Sequence, residues 1–480
     1  MIEKIKELEK ISSILNPSFE ERDRLLKKII DYSSDFINKT PSDPAYYFPQ
    51  GDQIPYNSNF NIEDKIDIDE ALLEFKNKIE KSGINGASGL HLGYIPGSTL
   101  YHSALADFLS ALTNRYASVY FASPGAVKLE NSIIQWMASL IGYNKEAKGV
   151  LTSGGSLANL TAIITAREAF NLKSKDFSKV VVYFTSQAHH SIEKALRIAG
   201  MNECVKHYVC MDINFRMRTD CLQKAIDRDK LIGLIPWLVV SAAGATDTGS
   251  VDPLNDIAEI AMKNKIWNHV DGAYGAFFIL TEKGKKLFNG IDKSDSIVID
   301  PHKGLFIPFG TGALIVKNGI KLFNANSYNA SYMQDALNNN LELSPADLSP
   351  ELSRHFRGLR IWLPLKLNGI FPFSAALQEK LLLAEYAFEE LNKIPGIVLG
   401  PKPDLSILSF RYVPQYGNAD EYNKNLLEEI HKDGRVFLSS TILNGNFTLR
   451  MAILSYKTHL KEINLAIDVI KEKVLMLNKM

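Results

Sequence analysis

The sequence predicts an α/β fold built on a mostly parallel central sheet. Two observations carry that expectation. Between residues 86 and 375, apolar β-branched runs alternate with helical stretches, the pattern of strands joined by crossover helices. Several of those runs end in turns that hold Gly, His, Asp or Lys, and ligands on such sheets bind beyond the carboxyl ends of the strands.

Taken in order, residues 1–85 read as a helical arm. Leu25, Ile29, Tyr32 and Phe36 fall on one stripe of a 3.6-residue period, which predicts a helix over 19–38 with Pro17-Ser18 as its start signal. Residues 40–63, rich in Pro, Asn, Asp and Ser, read as an extended loop, and a second helix follows at 68–81. These helices have few partners nearby in sequence, so they are expected to pack on the main domain or on a second subunit. Within 86–375 the strand candidates are Val150-Leu151, Val180–Phe184, Trp237–Val240, Ile266–Val270, Ser296–Ile299 and Ala313–Val316. Beyond 376 the texture becomes that of a smaller α+β domain. A long helix at 377–393, strands near Ile407–Tyr412 and Phe447–Ile453, and helices at 420–432 and 458–476 fill it.

Composition bounds the function. The 480 residues exceed what one core serves, so two or three domains are expected. Lys+Arg and Asp+Glu are equal at 54, so nothing supports a nucleic-acid partner, and near-neutrality removes one defence against self-association. Three cysteines, Cys204, Cys210 and Cys221, form neither a disulfide framework nor a zinc spacing, which suits a reducing compartment. The charged N-terminus and the lack of a long apolar run predict neither a signal peptide nor a membrane span, and the chain is read as cytoplasmic.

The chemistry sits at the strand ends. Gly154-Gly155-Ser156 follows a strand and opens a helix, a place where bare N–H groups can hold a phosphate. His189 follows the strand at 180–184 and could stack on a flat ring or move a proton. Asp271 ends an apolar strand, where its charge needs a partner such as a protonated ring nitrogen; small Gly272 and Ala273 beside it leave room for that ring. Lys303 follows Ser296–Ile299 and Pro301. Singly, each has a plain reading as a turn, a cap or a surface lysine. Together they supply the phosphate cradle, stacking group, ring-nitrogen partner and Schiff-base lysine that pyridoxal phosphate requires.

The chain resembles the group II pyridoxal-phosphate-dependent amino acid decarboxylases, above all the aromatic-L-amino-acid type and its bacterial relatives. The resemblance runs along nearly the whole sequence, through Tyr94-Ile95-Pro96-Gly97, Phe121 to Ala126, Thr152 to Ser156, Gln187 to Ser191, His269 to Tyr274, Asp300 to Lys303, Phe356 to Arg360, Leu438 to Thr441 and Leu449 to Ile453. It implies the fold-type I transferase fold: an N-terminal dimerisation arm (1–85), a large cofactor domain (86–375) and a small C-terminal domain (376–480), as a homodimer with active sites at the interface. It implies that Lys303 carries the cofactor, Asp271 pairs with the ring nitrogen, and Ala273 and His189 pack on opposite ring faces. Gly155 and Ser156 would hold the phosphate with His302 nearby, Thr246 would lie near the cofactor, and Tyr332 would be the catalytic-loop tyrosine that returns a proton to Cα.

Asp300 departs from the animal enzymes, which have Asn as a phosphate ligand there; a carboxylate beside a phosphate is repelled unless N–H donors or a cation hold it, so Asp300 is left out of the phosphate set. Leu157, His355, Gly304 and Gly97 depart too, the last two expected near the pocket. The substrate segment offers His91, Tyr94, Gly97, Tyr101 and His102, which suit a ring-bearing amino acid. Glutamate as substrate, aldehyde-forming oxidative deamination, transamination and a non-catalytic cofactor-binding role stay open as alternatives.

Overall fold

The computed structural model describes residues 1–48, 65–327 and 342–479. Seven strands build the central sheet: β1 (Lys148–Thr152), β2 (Val180–Phe184), β3 (Val205–Tyr208), β4 (Ile235–Ala242), β5 (Trp267–Asp271), β6 (Ser296–Ile299) and β7 (Gly312–Val316). Their spatial order is β3-β2-β4-β5-β6-β7-β1. Neighbours from β3 to β6 pair in parallel; β7 is antiparallel to both β6 and β1. β1 therefore points the same way as β5 and β6, and its carboxyl end opens on the same edge of the sheet.

Strand periodicity explains why these runs carry apolar residues at every position. Ile297 and Ile299 of β6 face one core with Ala313, Ile315 and the Ile133, Ile134 and Met137 side of the helix Pro124–Leu140. Val298, Leu314 and Val316 face the opposite core with Ala158, Ala162 and Ile163 of the helix Gly155–Ala169. Both sheet faces are covered, so no polar alternation is left, and each fully buried branched side chain stabilises by roughly 1.5–3 kcal/mol. β3 was not foreseen. It is an edge strand whose Val-Lys-His-Tyr sequence is only half covered, so it lacks the apolar signature of its neighbours.

The C-terminal part forms an antiparallel sheet of β8 (Ile397–Leu399), β9 (Ile407–Tyr412), β10 (Ser439–Leu443) and β11 (Asn446–Ala452), in the order β8-β9-β11-β10. The helices Phe371–Asn392, Ala419–Asp433 and Leu460–Leu477 share its core through Leu383, Ala387, Leu426, Ile430, Ile463 and Ile470.

At the other end, Ser18 caps the helix Phe19–Lys39 by accepting the Glu21 N–H, as Pro17-Ser18 predicts. The second helix is shorter than its pattern: α-helical geometry covers Ile68–Phe75 and a wider turn continues to Glu80. The helices Ile2–Ser12 and Phe19–Lys39 bury no residue.

The reading of three unpaired cysteines is corrected. Cys210 and Cys221 form a disulfide with Cα atoms 6.1 Å apart. A bridge between Met211 and Met217, and a bond from the Arg218 N–H to the Cys210 carbonyl, fold the connection back so that the two meet. Number and spacing alone hold no trace of that turn. The pairing also removes the support that unpaired thiols lent to a reducing compartment. Cys204 remains free and buried, its thiol pushed up to about 11 by burial.

Candidate active site

Strands β1, β5 and β6 deliver the chemistry to one edge. A cavity of about 310 Å³ opens there, lined by Gly155, Ser156, His189, Thr246, Asp271, Ala273, Asp300, His302 and Lys303 among others. β7 lies between β1 and β6, and the turn after β1 closes over the end of β7 to reach the residue after β6, the Gly155 N–H standing 3.2 Å from Asp300 Oδ2.

The glycine turn and the end of β6 interlock. A side chain at Gly155 would meet Asp300 Oδ2 at 3.0 Å and the Ala273 Cβ at 3.2 Å. One at Gly312 would stand 2.5 Å from Asp300 Oδ1. Asp300 itself is buried; Oδ2 accepts the Gly155 N–H at 3.2 Å and lies 3.3 Å from Lys303 Nζ, while Oδ1 has no partner among the described residues. Pro301 at the first helical position starts a single turn, Pro301–Gly304, that turns Lys303 into the cavity. His302 is tied to the Thr311 carbonyl through Nδ1 at 2.7 Å, and burial lowers its pKa against the pull of Asp300. Gly304 faces Phe277 of the core, where a Cβ would fall 2.5 Å from the Phe277 Cβ, so its departure from the family pattern concerns packing, not the pocket.

Asp271 is held from two sides: Oδ1 by the Ala273 N–H at 3.1 Å and Oδ2 by Asn159 Nδ2 at 3.0 Å. Asn159 is a hub that sequence reasoning missed. Its amide also donates to Ser191 Oγ at 2.9 Å, and its Oδ1 lies 2.9 Å from His269 Nε2. His269 Nδ1 pairs with Ser296 Oγ, to which Trp267 Nε1 donates. Burial pushes the His269 pKa down despite Asp271, and its Nε2 donates to the Asn159 Oδ1 acceptor. The only signal for Asn159 is its position: one helical turn after Gly155, a polar residue on a buried helix face between Ala158 and Ala162.

His189 receives the Ser191 N–H on Nδ1 at 3.3 Å and lies 2.7 Å from Ser191 Oγ, which assigns its ring proton to Nε2. Its pKa is lowered, first by burial, with Asp271 opposing. Asp252 also borders the cavity; burial raises it to about 6 although it accepts the Ala242 and Met217 N–H groups. Arg450 is buried and donates to the carbonyls of Tyr94, Thr246 and Asp247 and to Ser439 Oγ, fixing the loop that carries Thr246.

The predicted substrate residues stand apart from this cavity. His91 is 5% exposed, packed on Phe437, with both ring nitrogens unpartnered among the described residues and its pKa pushed down to about 4 by burial. Tyr94 and Tyr101 are exposed. Gly97 flanks the site instead: a Cβ there would come 3.1 Å from the His302 carbonyl and 3.0 Å from the Phe309 ring. Tyr332 lies outside the described residues. Among the described residues there is no metal-ligand cluster and no helix long and apolar enough to cross a membrane.

Residues 58–413 match the family model of the pyridoxal-dependent decarboxylase conserved domain. The chain belongs to the pyridoxal-dependent decarboxylases. Pyridoxal phosphate is their cofactor, and the cavity fits it: a glycine cradle at a helix start, the Asp271 carboxylate and the Lys303 amine all line it. Aromatic-L-amino-acid decarboxylase of Bacillus atrophaeus is 32% identical over 461 residues, covering 94% of this chain and 95% of the relative. Phenylacetaldehyde synthase of Arabidopsis thaliana is 28% identical, covering 85% and 86%. Among solved structures, Oryza sativa TDC with PLP and tryptamine superposes with a TM-score of 0.90 at 21% identity, covering 96% of this chain and 99% of that one. This decarboxylase therefore has the fold-type I architecture.

Proposed function

We propose that the chain decarboxylates an aromatic or otherwise ring-bearing L-amino acid to the amine and CO2, with Lys303 as the covalent cofactor lysine. The observation that carries the reading is the convergence of Lys303, Asp271, His189 and the Gly154–Ser156 turn on one cavity. Likeness to a 32%-identical aromatic-L-amino-acid decarboxylase supports the substrate class. Bound pyridoxal phosphate supplies an electron sink conjugated to the substrate Cα.

The protein's part is positioning and protonation. The Gly155 N–H and its neighbours at the helix start hold the phosphate, with His302 beside them. Asp271, clamped by Ala273 and Asn159, presents its carboxylate to the ring nitrogen and keeps that nitrogen protonated. Ala273 packs on one ring face. His189 stacks on the other, its Nε2–H available to the substrate carboxylate. Thr246 sits by the cofactor on the Arg450-anchored loop. His91, Tyr94, Gly97 and Tyr101 were expected to shape the substrate pocket; of these we retain Gly97, which adjoins His302. Tyr332 is assigned delivery of the proton to Cα after CO2 departs.

We further propose a homodimer in which residues 1–85 act as a swapped arm on the domains 86–375 and 376–480. Two apolar faces exposed among the described residues support it: Ile5, Leu8, Ile11, Ile14 and Leu15 on the arm, and Leu105, Phe108, Leu109 and Leu112 on the helix Tyr101–Thr113.

The test is incubation of the pure enzyme with each amino acid and dihydroxyphenylalanine, with amines detected by mass. Amine from an aromatic substrate supports the reading; amine from glutamate alone refutes the substrate class. The 28%-identical aldehyde synthase favours one rival, aldehyde formation. If Tyr332 is the Cα proton donor, Tyr332→Phe shifts product from amine toward aldehyde and ammonia; an unchanged amine yield per turnover removes Tyr332 from that role.

A further inference from the structure

Asp300 is the residue whose surroundings its sequence position does not explain. Its carboxylate is almost fully buried at the end of β6, in a slot that Gly155 and Gly312 leave open. One oxygen holds the Gly155 N–H and stands 3.3 Å from Lys303 Nζ and 3.7 Å from His302 Nε2. The other oxygen has no partner among the described residues, although a buried carboxylate oxygen left unpaired is costly. The groups that Asp300 holds are the two the cofactor needs, one at its phosphate end and one at its aldehyde.

We propose that Asp300 is an internal competitor of the cofactor phosphate, an anion built into the chain that holds the Gly155 N–H and the Lys303 amine and so weakens cofactor retention. It rests on the phosphate lying at the Gly154–Ser156 turn. The charged and titratable groups facing Asp300 are Lys303 and His302 on its own turn and His189 across the cavity, with Arg360 behind His302. The glycine turn and the neighbouring β7 residues Gly312 and Ala313 offer it no cation. Like charges a few ångströms apart repel, so neutralising Asp300 tightens phosphate binding by roughly tenfold.

The experiment titrates the full-length chain, stripped of cofactor, with pyridoxal phosphate and separately with pyridoxal, reading visible absorbance and equilibrium dialysis. Asp300→Asn keeps the shape and removes the charge. It is expected to bind pyridoxal phosphate about tenfold tighter than the native chain and to change pyridoxal, which has no phosphate, several-fold less. Equal or weaker pyridoxal phosphate binding by a variant with native circular dichroism overturns the proposal. If Asp300→Asn does not fold, Asp300→Ser is read in the same way. A native chain that does not discriminate the two compounds overturns the placement of the phosphate, and the proposal with it; native discrimination without a gain in the variant overturns the competitor role alone.

Discussion

Replacing His91 by Phe separates stability from substrate recognition. The imidazole is 5% exposed against Phe437 and neither nitrogen has a partner among the described residues. Burial pushes its pKa from 6.5 down to about 4. The folded state thus binds this proton less readily than the unfolded chain, so His91 contributes a stability that is present above pH 6.5 and lost as pH falls toward 4. With those two values the loss is about 2 kcal/mol at pH 5, approaching roughly 3 kcal/mol below pH 4. At pH 8 the imidazole is neutral on both sides of the equilibrium. Relief of two unpaired nitrogens, about 1–3 kcal/mol, is then offset by the cost of a slightly larger ring, also about 1–3 kcal/mol. His91→Phe should therefore leave stability near the native value at pH 8 and exceed it by about 2 kcal/mol at pH 5. Urea unfolding at both pH values, at one fixed protein concentration, measures this, and the many other acid-titrating groups cancel in the difference. KM should stay the same, since His91 does not line the cavity. Parallel pH profiles for the two proteins, or a large KM change, would refute the reasoning.

Asn159→Ala strips partners from Asp271, Ser191 and His269 together; we expect about 2–4 kcal/mol of lost stability and weaker cofactor retention, read by thermal unfolding and by dialysis against cofactor-free buffer. Retained stability with unchanged cofactor affinity would show that Asp271 needs no second clamp. Thiol titration of the denatured, unreduced chain should find one reactive thiol, that of Cys204, with the other two appearing only after reduction. Three thiols before reduction would place the protein in its dithiol form.

Most of the central sheet was legible because its strands are buried on both faces and leave unbroken apolar runs, as in Val180–Phe184 and Ser296–Ile299. The edge strand β3 was not, because exposure lets Lys206 and His207 into it. That the candidate cofactor residues line one cavity was legible, since each follows a strand or opens a helix whose end the sheet brings to one edge. Asn159 was invisible because nothing in its sequence neighbourhood shows that a helix turn aims it at Asp271. His91 misled for the opposite reason: an aromatic-like, titratable residue in a pocket segment looks functional, and only its burial against Phe437 shows it to be packing. The pairing of Cys210 with Cys221 depends on a turn closed by backbone bonds, which no cysteine count contains.

The amide of Asn159 has one more consequence. It touches the Asp271 carboxylate on one side and, through Ser191, the His189 imidazole on the other. A carboxylic acid or a water in that place would pass protons between the two. An amide cannot, because it holds its hydrogens at every accessible pH. Asn159 thus joins the two groups mechanically while insulating them chemically, so no proton passes through this bridge between Asp271 and His189.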